Sequence, residues 1–245
     1  MKILVCISQV PDTTTKITFT PDKKAFNAQG VQFIINPYDE IGLTRALELK
    51  EGLGGTVTAI TVGPANTEPN LRKALAIGAD DAIRVNAEPS DAYFVACQIA
   101  EVAKKNNYDI ILTGKESIDF NGGQVPVMLG ELLNVPSVSV ATKLDVNGTV
   151  ATLEREIDGG KEILEAKMPF VAGAQKGMAE PRIPNMRGIM TARSKPLLVV
   201  EPAACDKLSN SSQFDLPPAK GDCKMIDPSN VAELVNLLHT EAKVI

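Results

Sequence analysis

Tryptophan is absent from the sequence, histidine occurs once, and the four cysteines lie far apart. The single histidine, His239, stands in a segment of helical periodicity, so a Ser/His/Asp or Cys/His nucleophile system is not expected. Cys6, Cys97, Cys205 and Cys223 form no C-x-x-C pair, which argues against a zinc site and against a disulfide framework. We therefore expect reduced, mostly buried thiols and no metal site.

A dense run of basic residues is also missing. Lys and Arg number 25 against 30 Asp and Glu, and the formal net charge is -5. Nucleic acids and anionic membranes are bound through concentrated positive charge, so neither is expected as a partner. No segment reaches the about 18 apolar residues of a membrane span, and the apolar run in "MKILVCISQVPD" is too short for a signal sequence. The expected location is cytoplasmic, without membrane insertion.

Short apolar runs alternate with segments of helical periodicity over the first 140 residues. A continuously apolar strand is buried on both faces, and most of the predicted strands are of this kind. This pattern indicates a doubly wound, mostly parallel α/β sheet covered by helices. One such helix carries Leu43, Ala46 and Leu47 on a single face. The predicted strands span residues 2–8, 31–35, 56–63, 82–85, 109–114 and 137–141.

The pattern changes after residue 141. Asn-Gly and Gly-Gly turns separate partly alternating runs in "TKLDVNGTVATLEREIDGGKEILEAKMPFVAGA", which predicts an antiparallel hairpin that completes the sheet. From about residue 180 the chain is rich in proline and poor in periodicity, and such a stretch cannot build a core alone. We expect an α/β domain over 1–185 and an extended C-terminal arm over 186–245, laid on another surface and ending in a helix from about 228 to 240.

Ligands of open parallel sheets bind at the carboxyl ends of the strands, near the point where strand order reverses. The stretches that follow predicted strands are "CISQVPD", "NPYDE", "VGPANTE" and "TGKESIDFNGGQV". In the last of these, Val125, Met128 and Leu129 open a helical apolar face, so a helix begins near Gly123. Gly122 and Gly123 would let backbone N–H groups converge at that helix N-terminus, an arrangement that binds phosphate.

Two interpretations of this loop remain open, a phosphate site and a plain turn. The loop matches neither G-x-x-x-x-G-K-[ST] nor G-x-G-x-x-G, the standard nucleotide fingerprints. The stretch "VGPANTE" adds a glycine and a hydroxyl at a second strand end, which favours a nucleotide between the two. "NPYDE" also has a local role, with Asn36 near a helix cap and Asp39 and Glu40 in the first turn. Tyr38 lies at the mouth of the crevice, where simple packing is an alternative role.

No catalytic constellation accompanies this crevice. Asp80 and Asp81 are adjacent, so their side chains diverge and cannot share a proton as a carboxylate dyad does. A nucleotide crevice without a nucleophile, acid or base indicates a protein that holds a cofactor and performs no bond chemistry with its own side chains.

Five stretches together resemble the β subunit of electron transfer flavoproteins. They are "MKILVCISQVPD", "INPYDEIGLTRALELKE", "LRKALAIGADDAIRV", "GKESIDFNGGQVPVMLGELL" and "EREIDGGKEILEAKMPFV", and the resemblance runs from residue 1 to about residue 193. It implies a flavodoxin-like, or adenine-nucleotide α-hydrolase-like, fold in a heterodimer with an α subunit that carries the redox-active FAD. The β subunit would bury an AMP or, in the electron-bifurcating branch, a second FAD.

The resemblance also implies which residues touch the nucleotide. It suggests that Tyr38 approaches the α-subunit flavin, and that residues 174–182 dock partner dehydrogenases with Met178 in place of an anchoring leucine. Ser8 stands where many members have lysine, and the "DFNGG" loop is short, so AMP and FAD both remain open. The implied nucleotide contacts are Cys6, Asn36, Pro37, Tyr38, Asp39, Val62, Gly114, Lys115, Glu116, Ser117, Ile118, Asp119, Phe120, Asn121, Gly122, Gly123, Gln124 and Val125.

By this resemblance, the leading hypothesis is an electron carrier and not an enzyme. The heterodimer would accept electrons from acyl-CoA dehydrogenases of fatty acid oxidation, or from other flavin dehydrogenases, and pass them to a quinone reductase. This subunit would bind AMP structurally, shield the α-subunit FAD and dock the dehydrogenases. One alternative is a bifurcating flavoprotein whose own FAD in this subunit oxidises NADH. Another is a stand-alone ATP-binding module of the universal-stress type, against which the proline-rich arm argues.

Overall fold

The computed structural model describes residues Met1–Ile245, and the chain divides into two compact units. The first unit comprises residues 1–17 and 27–212, and the second comprises 18–26 and 213–245.

The first unit contains all the strands and five α-helices. The strands are β1 (Lys2–Cys6), β2 (Gln9–Pro11), β3 (Phe33–Ile35), β4 (Thr56–Val62), β5 (Asp81–Val85), β6 (Ile110–Gly114), β7 (Ser137–Asn147), β8 (Val150–Ile157), β9 (Gly160–Lys167), β10 (Phe170–Ala174) and β11 (Leu197–Val200). The helices are α1 (Pro37–Leu53), α2 (Glu68–Ile77), α3 (Ala92–Asn106), α4 (Val125–Leu133) and α5 (Met186–Ala192), and a 3-10 turn (Ala65–Thr67) precedes α2.

Nine strands form one sheet in the order β11-β5-β4-β1-β6-β10-β7-β8-β9. Neighbours from β11 to β7 are parallel, and the pairs β7–β8 and β8–β9 are antiparallel. The chain first builds β4 and β5 on one side of β1 and then returns to build β6 on the other side. Strand order therefore reverses between β1 and β6, and the predicted doubly wound, mostly parallel α/β sheet with an added antiparallel hairpin is confirmed.

Helices cover both faces of the parallel strands. Ile3 and Val5 belong to a buried cluster with α1 and α2, whereas Leu4 and Cys6 belong to a second cluster with α3 and α4. Successive strand residues point to opposite faces, so a strand between two helical layers buries both faces and is apolar at most positions. Each fully buried aliphatic side chain of this kind stabilises the fold by about 1.5–3 kcal/mol.

Helix α3 has sequence features that mark both of its ends. Asp91 is the N-cap residue, and its carboxylate accepts a hydrogen bond from the Phe94 N–H at 2.7 Å. Lys104 and Lys105 lie in the last turn, where positive charge complements the helix dipole. Asn107 then adopts a φ of 52°, the left-handed conformation that ends many helices.

One predicted strand lies outside the main sheet. Within residues 31–35 only Phe33–Ile35 is a strand, and it pairs antiparallel with Gln9–Pro11 in a separate two-stranded sheet. The two segments pair because each adjoins the same point of the fold: β2 closely follows the end of β1, and β3 leads directly into α1. The Asn36 N–H accordingly donates to the Ser8 carbonyl oxygen at 3.0 Å.

The C-terminal segment contributes to both units. Helix α5 and strand β11 belong to the first unit, where β11 pairs parallel with β5 at the edge of the sheet. Residues 201–227 contain no helix or strand, consistent with the extended arm of the predicted fold class.

The second unit contains helix α6 (Val231–Leu237), which lies within the region predicted to be helical and continues as a π-helical turn (Leu238–Ala242) slightly past the predicted end. In the same unit the rings of Phe19 and Phe214 stack with centroids 5.2 Å apart, and Lys23 pairs with Asp215 at 2.6 Å. No helix of the chain is both long enough and apolar enough to cross a membrane.

The cysteines are less buried than expected. Only Cys6 is buried, Cys97 and Cys205 are half-buried, and Cys223 is exposed. The expectation of mostly buried thiols is therefore correct for Cys6 alone, because the other three lie on the outer side of α3 or in the C-terminal segment, which has little regular structure.

Candidate functional site

The carboxyl ends of β1 and β6 are neighbours at the point where strand order reverses. From β1 the chain leads to α1 on one face of the sheet, and from β6 it leads to α4 on the other face. The chain segments that leave the carboxyl ends of these strands, termed here the exits, therefore diverge. They leave a cleft between them, termed here the crevice.

A single carboxylate joins the two exits. Asp39, in the first turn of α1, accepts a hydrogen bond from the Ser8 N–H through Oδ2 at 2.6 Å. Its other oxygen, Oδ1, accepts from the Gly114 N–H at 2.7 Å and from Asn36 Nδ2 at 3.0 Å. The side chain is buried, with 3% of the residue exposed. Asp39 thus spans the end of β1, the start of α1 and the end of β6.

The environment of Asp39 shifts two pKa values. Burial raises the pKa of the Asp39 carboxyl to about 6, although hydrogen bonds from Ser8, Asn36 and Gly114 favour the ionised form. Burial, and then the neighbouring Asp39 charge, raises the pKa of the Cys6 thiol. Cys6 therefore lies at the crevice as a neutral, buried thiol.

Asn36 ties the start of α1 to the loop that follows β6. It is the N-cap residue of α1, but its side chain does not cap the helix. Asn36 Nδ2 donates to the Glu116 carbonyl oxygen at 2.8 Å, and Asn36 Oδ1 accepts from the Ile118 N–H at 3.4 Å. The predicted helix start at "NPYDE" is therefore correct, and its amide serves the crevice in addition.

Gly114 lies where only glycine fits. A Cβ on this residue would lie 2.4 Å from Asp39 Oδ1 and 2.7 Å from Tyr38 Cβ. The next residue, Lys115, places its Nζ 4.9 Å from the centroid of the Tyr38 ring and 3.2 Å from a Glu116 carboxylate oxygen. The close approach of α1 to β6 thus gathers an aromatic ring and a cation at the mouth of the crevice.

The loop after β6 is a tight turn followed by a helix N-terminus. Ser117 and Gly122 exchange backbone hydrogen bonds at 3.1 and 3.3 Å, and Asn121 between them has a φ of 50°. The Gly122 N–H is therefore used within the turn, unlike the arrangement expected from the sequence. Phe120 stands at the tip of the turn and is 69% exposed. Helix α4 begins at Val125, as predicted, and no side chain caps its N-terminus.

The exit of β4 is held by a buried arginine that sequence analysis did not identify. Val62 ends β4, which is separated from β6 by β1, and Gly63 follows. The guanidinium of Arg84 donates to the Gly63 carbonyl oxygen at 3.0 Å and to Glu68 Oε1 at 3.1 Å. The one available sequence signal was a charged residue inside the apolar run "AIRV". In the adjoining first turn of α2, the buried Asn70 Nδ2 has no hydrogen-bond partner.

Most of the predicted nucleotide contacts come together, and the predicted docking residue lies apart from them. Asn36, Tyr38, Asp39 and the start of the loop from Gly114 surround the crevice, with Cys6 beneath it and Val62 to one side. Pro37 opens α1 at the same end. Met178, by contrast, is 6% exposed and lies in the hydrophobic core. Docking through this side chain would require residues 174–182 to open, and the role stays a prediction.

Two cavities lie away from the crevice. One of about 320 Å³ lies at the amino ends of β1, β4 and β5, where Lys2, Asp81 and Tyr108 line it. Another of about 570 Å³ lies between α2 and residues 184–193. Neither lies where strand order reverses, so the crevice remains the favoured ligand site. No group of three or more His, Cys, Asp or Glu residues is arranged to hold a metal ion.

Comparison with known proteins gives consistent matches. The model of the electron transfer flavoprotein domain matches residues 24–205. The electron transfer flavoprotein subunit beta of Bacillus subtilis is 40% identical over an alignment of 260 residues that covers 100% of both chains. The corresponding subunit of Syntrophomonas wolfei is 38% identical over 90% of this chain and 87% of the relative, and that of Homo sapiens is 36% identical over 92% of each. The resemblance drawn from the sequence is therefore confirmed, and the chain belongs to the electron transfer flavoprotein family, as a beta subunit.

Proposed function

We propose that the chain is one half of a heterodimeric electron carrier, with an alpha subunit as its partner, and that its crevice holds AMP. The observation that carries the proposal is the meeting of Asn36, Asp39 and Gly114 at the point where strand order reverses. Residues that are remote in sequence converge there, at the position where doubly wound sheets bind their ligands.

The N-terminus of α4 supports binding of the AMP phosphate. The first N–H groups of a helix have no partner within it, and no side chain caps this one. Space is open beside Gly122, because a Cβ on that residue would meet no atom within 4 Å. The N–H groups of Gly123, Gln124 and Val125 would hold the phosphate, and the helix dipole would favour its negative charge.

The second strand end supports a nucleotide larger than a single phosphate. The unpartnered amide of Asn70 is a buried donor close to the β4 exit, and Arg84 fixes that exit in place. A buried donor without an acceptor is costly in a folded protein and is often completed by a ligand or water. Tyr38 offers an aromatic face at the opposite side of the crevice.

The role of the chain in electron transfer would be to bind and to shield. FAD, when bound with the alpha subunit, supplies the electron chemistry. This chain would bind AMP for stability and cover one side of the flavin. Acyl-CoA or other flavin dehydrogenases would be the donors, and a quinone reductase would be the acceptor.

The C-terminal segment is proposed to contact the alpha subunit. Val231, Leu234 and Val235 lie on one face of α6 and are exposed, and Leu216 and Met225 of the extended segment are exposed as well. An amphipathic helix with its apolar face in water is stabilised when a partner covers that face.

Partner dehydrogenases are proposed to dock at residues 174–182 and at the exposed segment that follows. Ile183 is 91% exposed, and Met186 and Met190 are also exposed. Arg187 and Arg193 add positive charge to this apolar surface on a chain of net charge -5. Exposed aliphatic and methionine side chains are suitable anchors for a partner's pocket.

The test is to purify the chain with its alpha subunit, release the bound nucleotides and identify them by chromatography and mass spectrometry. One AMP and one FAD per heterodimer is the expected result. Two FAD molecules would instead indicate the bifurcating flavoprotein. A chain that purifies alone as a monomer with ATP would indicate the stress-type module and refute the proposal.

A further inference from the structure

We propose that Asp39 is a positioning residue of the crevice, which holds the exits of β1 and β6 together and thereby sets how long the nucleotide is retained. The inference rests on the AMP-binding function proposed above and adds to it the control of release.

Each oxygen of the Asp39 carboxylate accepts a hydrogen bond from the exit of a different strand. Oδ2 accepts the Ser8 N–H of the β1 exit at 2.6 Å, and Oδ1 accepts the Gly114 N–H of the β6 exit at 2.7 Å. Both N–H groups lie at strand exits, and they donate to different oxygens of the same carboxylate. A neutral amide could not replace this carboxylate, because it has one acceptor oxygen and would turn an NH₂ group toward the second N–H.

The charged and titratable groups around Asp39 provide no counter-ion. Cys6 lies below it on β1, and Tyr38 and Glu40 flank it on α1. On the loop after β6, Lys115 pairs with Glu116 and faces the Tyr38 ring. Glu40 is itself paired with Lys73 at 2.5 Å. Asp39 is therefore a buried carboxylate that is stabilised by N–H donors and by no cation.

Such a group costs folding stability, which points to a role other than stability. Burial outweighs the hydrogen bonds and raises the pKa of Asp39 to about 6. A residue that destabilises its own fold while joining two parts of a ligand site fits the general pattern of perturbed groups at functional sites. Protonation would remove the negative charge and turn one oxygen into a weaker acceptor, which would loosen the hydrogen bond from one exit.

The experiment measures the dissociation rate of labelled AMP from the heterodimer at about pH 7.5 and about pH 5.5, on either side of the carboxyl pKa. For the unmodified protein we expect release to accelerate about tenfold at the lower pH. Asp39→Asn should release AMP rapidly at both pH values while its Tm stays the same or rises. Glu40→Gln, in the same turn of α1, should behave as the unmodified protein.

The outcomes separate the two proposals. The AMP phosphate also ionises near about pH 6, so a pH profile that persists unchanged in Asp39→Asn would belong to the ligand and overturn the role of Asp39. A heterodimer that holds no AMP at either pH would overturn the proposed function and this inference together.

A second measurement covers the case in which Asp39→Asn does not fold. Hydrogen-exchange protection of the Ser8 and Gly114 amides in the unmodified heterodimer should fall between the two pH values, after correction for intrinsic exchange. Unchanged protection of both amides would overturn the inference.

Discussion

Met178 is buried in the core, whereas Ile183, in the same segment, is almost fully exposed. Substitutions at these two positions can therefore distinguish an effect on folding from an effect on the proposed docking surface. Met178→Ala should lower the free energy of unfolding by about 2–4 kcal/mol, because it removes a buried side chain and leaves a cavity. Ile183→Ala should change it by less than about 0.5 kcal/mol, and urea denaturation measures both.

The Ile183→Ala variant also tests the proposed docking surface. Ile183→Ala should weaken binding of a partner dehydrogenase about tenfold or more, as expected for the loss of an exposed anchor. Calorimetric titration of the heterodimer with the dehydrogenase measures this affinity. An unchanged affinity for Ile183→Ala would move the docking surface away from residues 183–190.

Gly114→Ala should destabilise the fold by about 1–3 kcal/mol and reduce AMP binding. The added Cβ would overlap Asp39 Oδ1 and the Tyr38 side chain, so α1 would have to move away from β6. Gly52→Ala is the control, since Gly52 lies in α1 with open space around it and alanine favours a helix. Thermal unfolding of the two variants should therefore shift in opposite directions, and a stable Gly114→Ala with full AMP content would contradict the described packing.

Arg84→Met should destabilise the protein by about 2–4 kcal/mol. The substitution keeps the aliphatic bulk but leaves the Gly63 carbonyl oxygen and the Glu68 carboxylate without their guanidinium donor. Lys104→Met, which removes an exposed i,i+3 pair with Glu101, should cost no more than about 0.5 kcal/mol. Equal unfolding midpoints in urea for the two variants would show that Arg84 does not hold the β4 exit.

The raised pKa of Asp39 predicts the direction of a pH effect. A carboxyl that binds its proton more tightly in the folded state stabilises the fold less as pH rises. Between about pH 4 and pH 7, the unmodified protein should lose about 2.4 kcal/mol of stability relative to Asp39→Asn, since the pKa moves from 3.8 to about 6. Urea titrations of both proteins across this range measure the difference. A relative gain in stability with rising pH would show that hydrogen bonding outweighs burial at this carboxyl.

Much of the architecture follows from the sequence because its causes are local. Runs such as "ILVC" and "IIL" are apolar at successive positions, as is typical of a strand between two helical layers. The start of α4 near Gly123 follows from the periodic spacing of Val125, Met128 and Leu129. The predicted strand 31–35 has a similar apolar pattern in the sequence. Only its pairing with β2 in the structure shows that it lies outside the main sheet.

The parts that could not be predicted depend on contacts between distant residues. In the sequence, Asp39 resembles any acidic residue in a first helical turn. Only the fold brings the Gly114 N–H, at the end of β6, against its carboxylate. In the sequence, Arg84 is only a charged residue within an apolar strand. The structure shows that its guanidinium donates to the Gly63 carbonyl oxygen. The burial of Met178 and the use of the Gly122 N–H within its turn are likewise decided by tertiary packing.

The proposed nucleotide site lies between the exits of β1 and β6. The most direct measurement is hydrogen exchange of the heterodimer with and without AMP, resolved by peptide. We predict that AMP protects residues 6–8, 36–40 and 112–125. Protection confined to the amino-end cavity lined by Lys2, Asp81 and Tyr108, with residues 112–125 unchanged, would show that AMP does not bind between these exits.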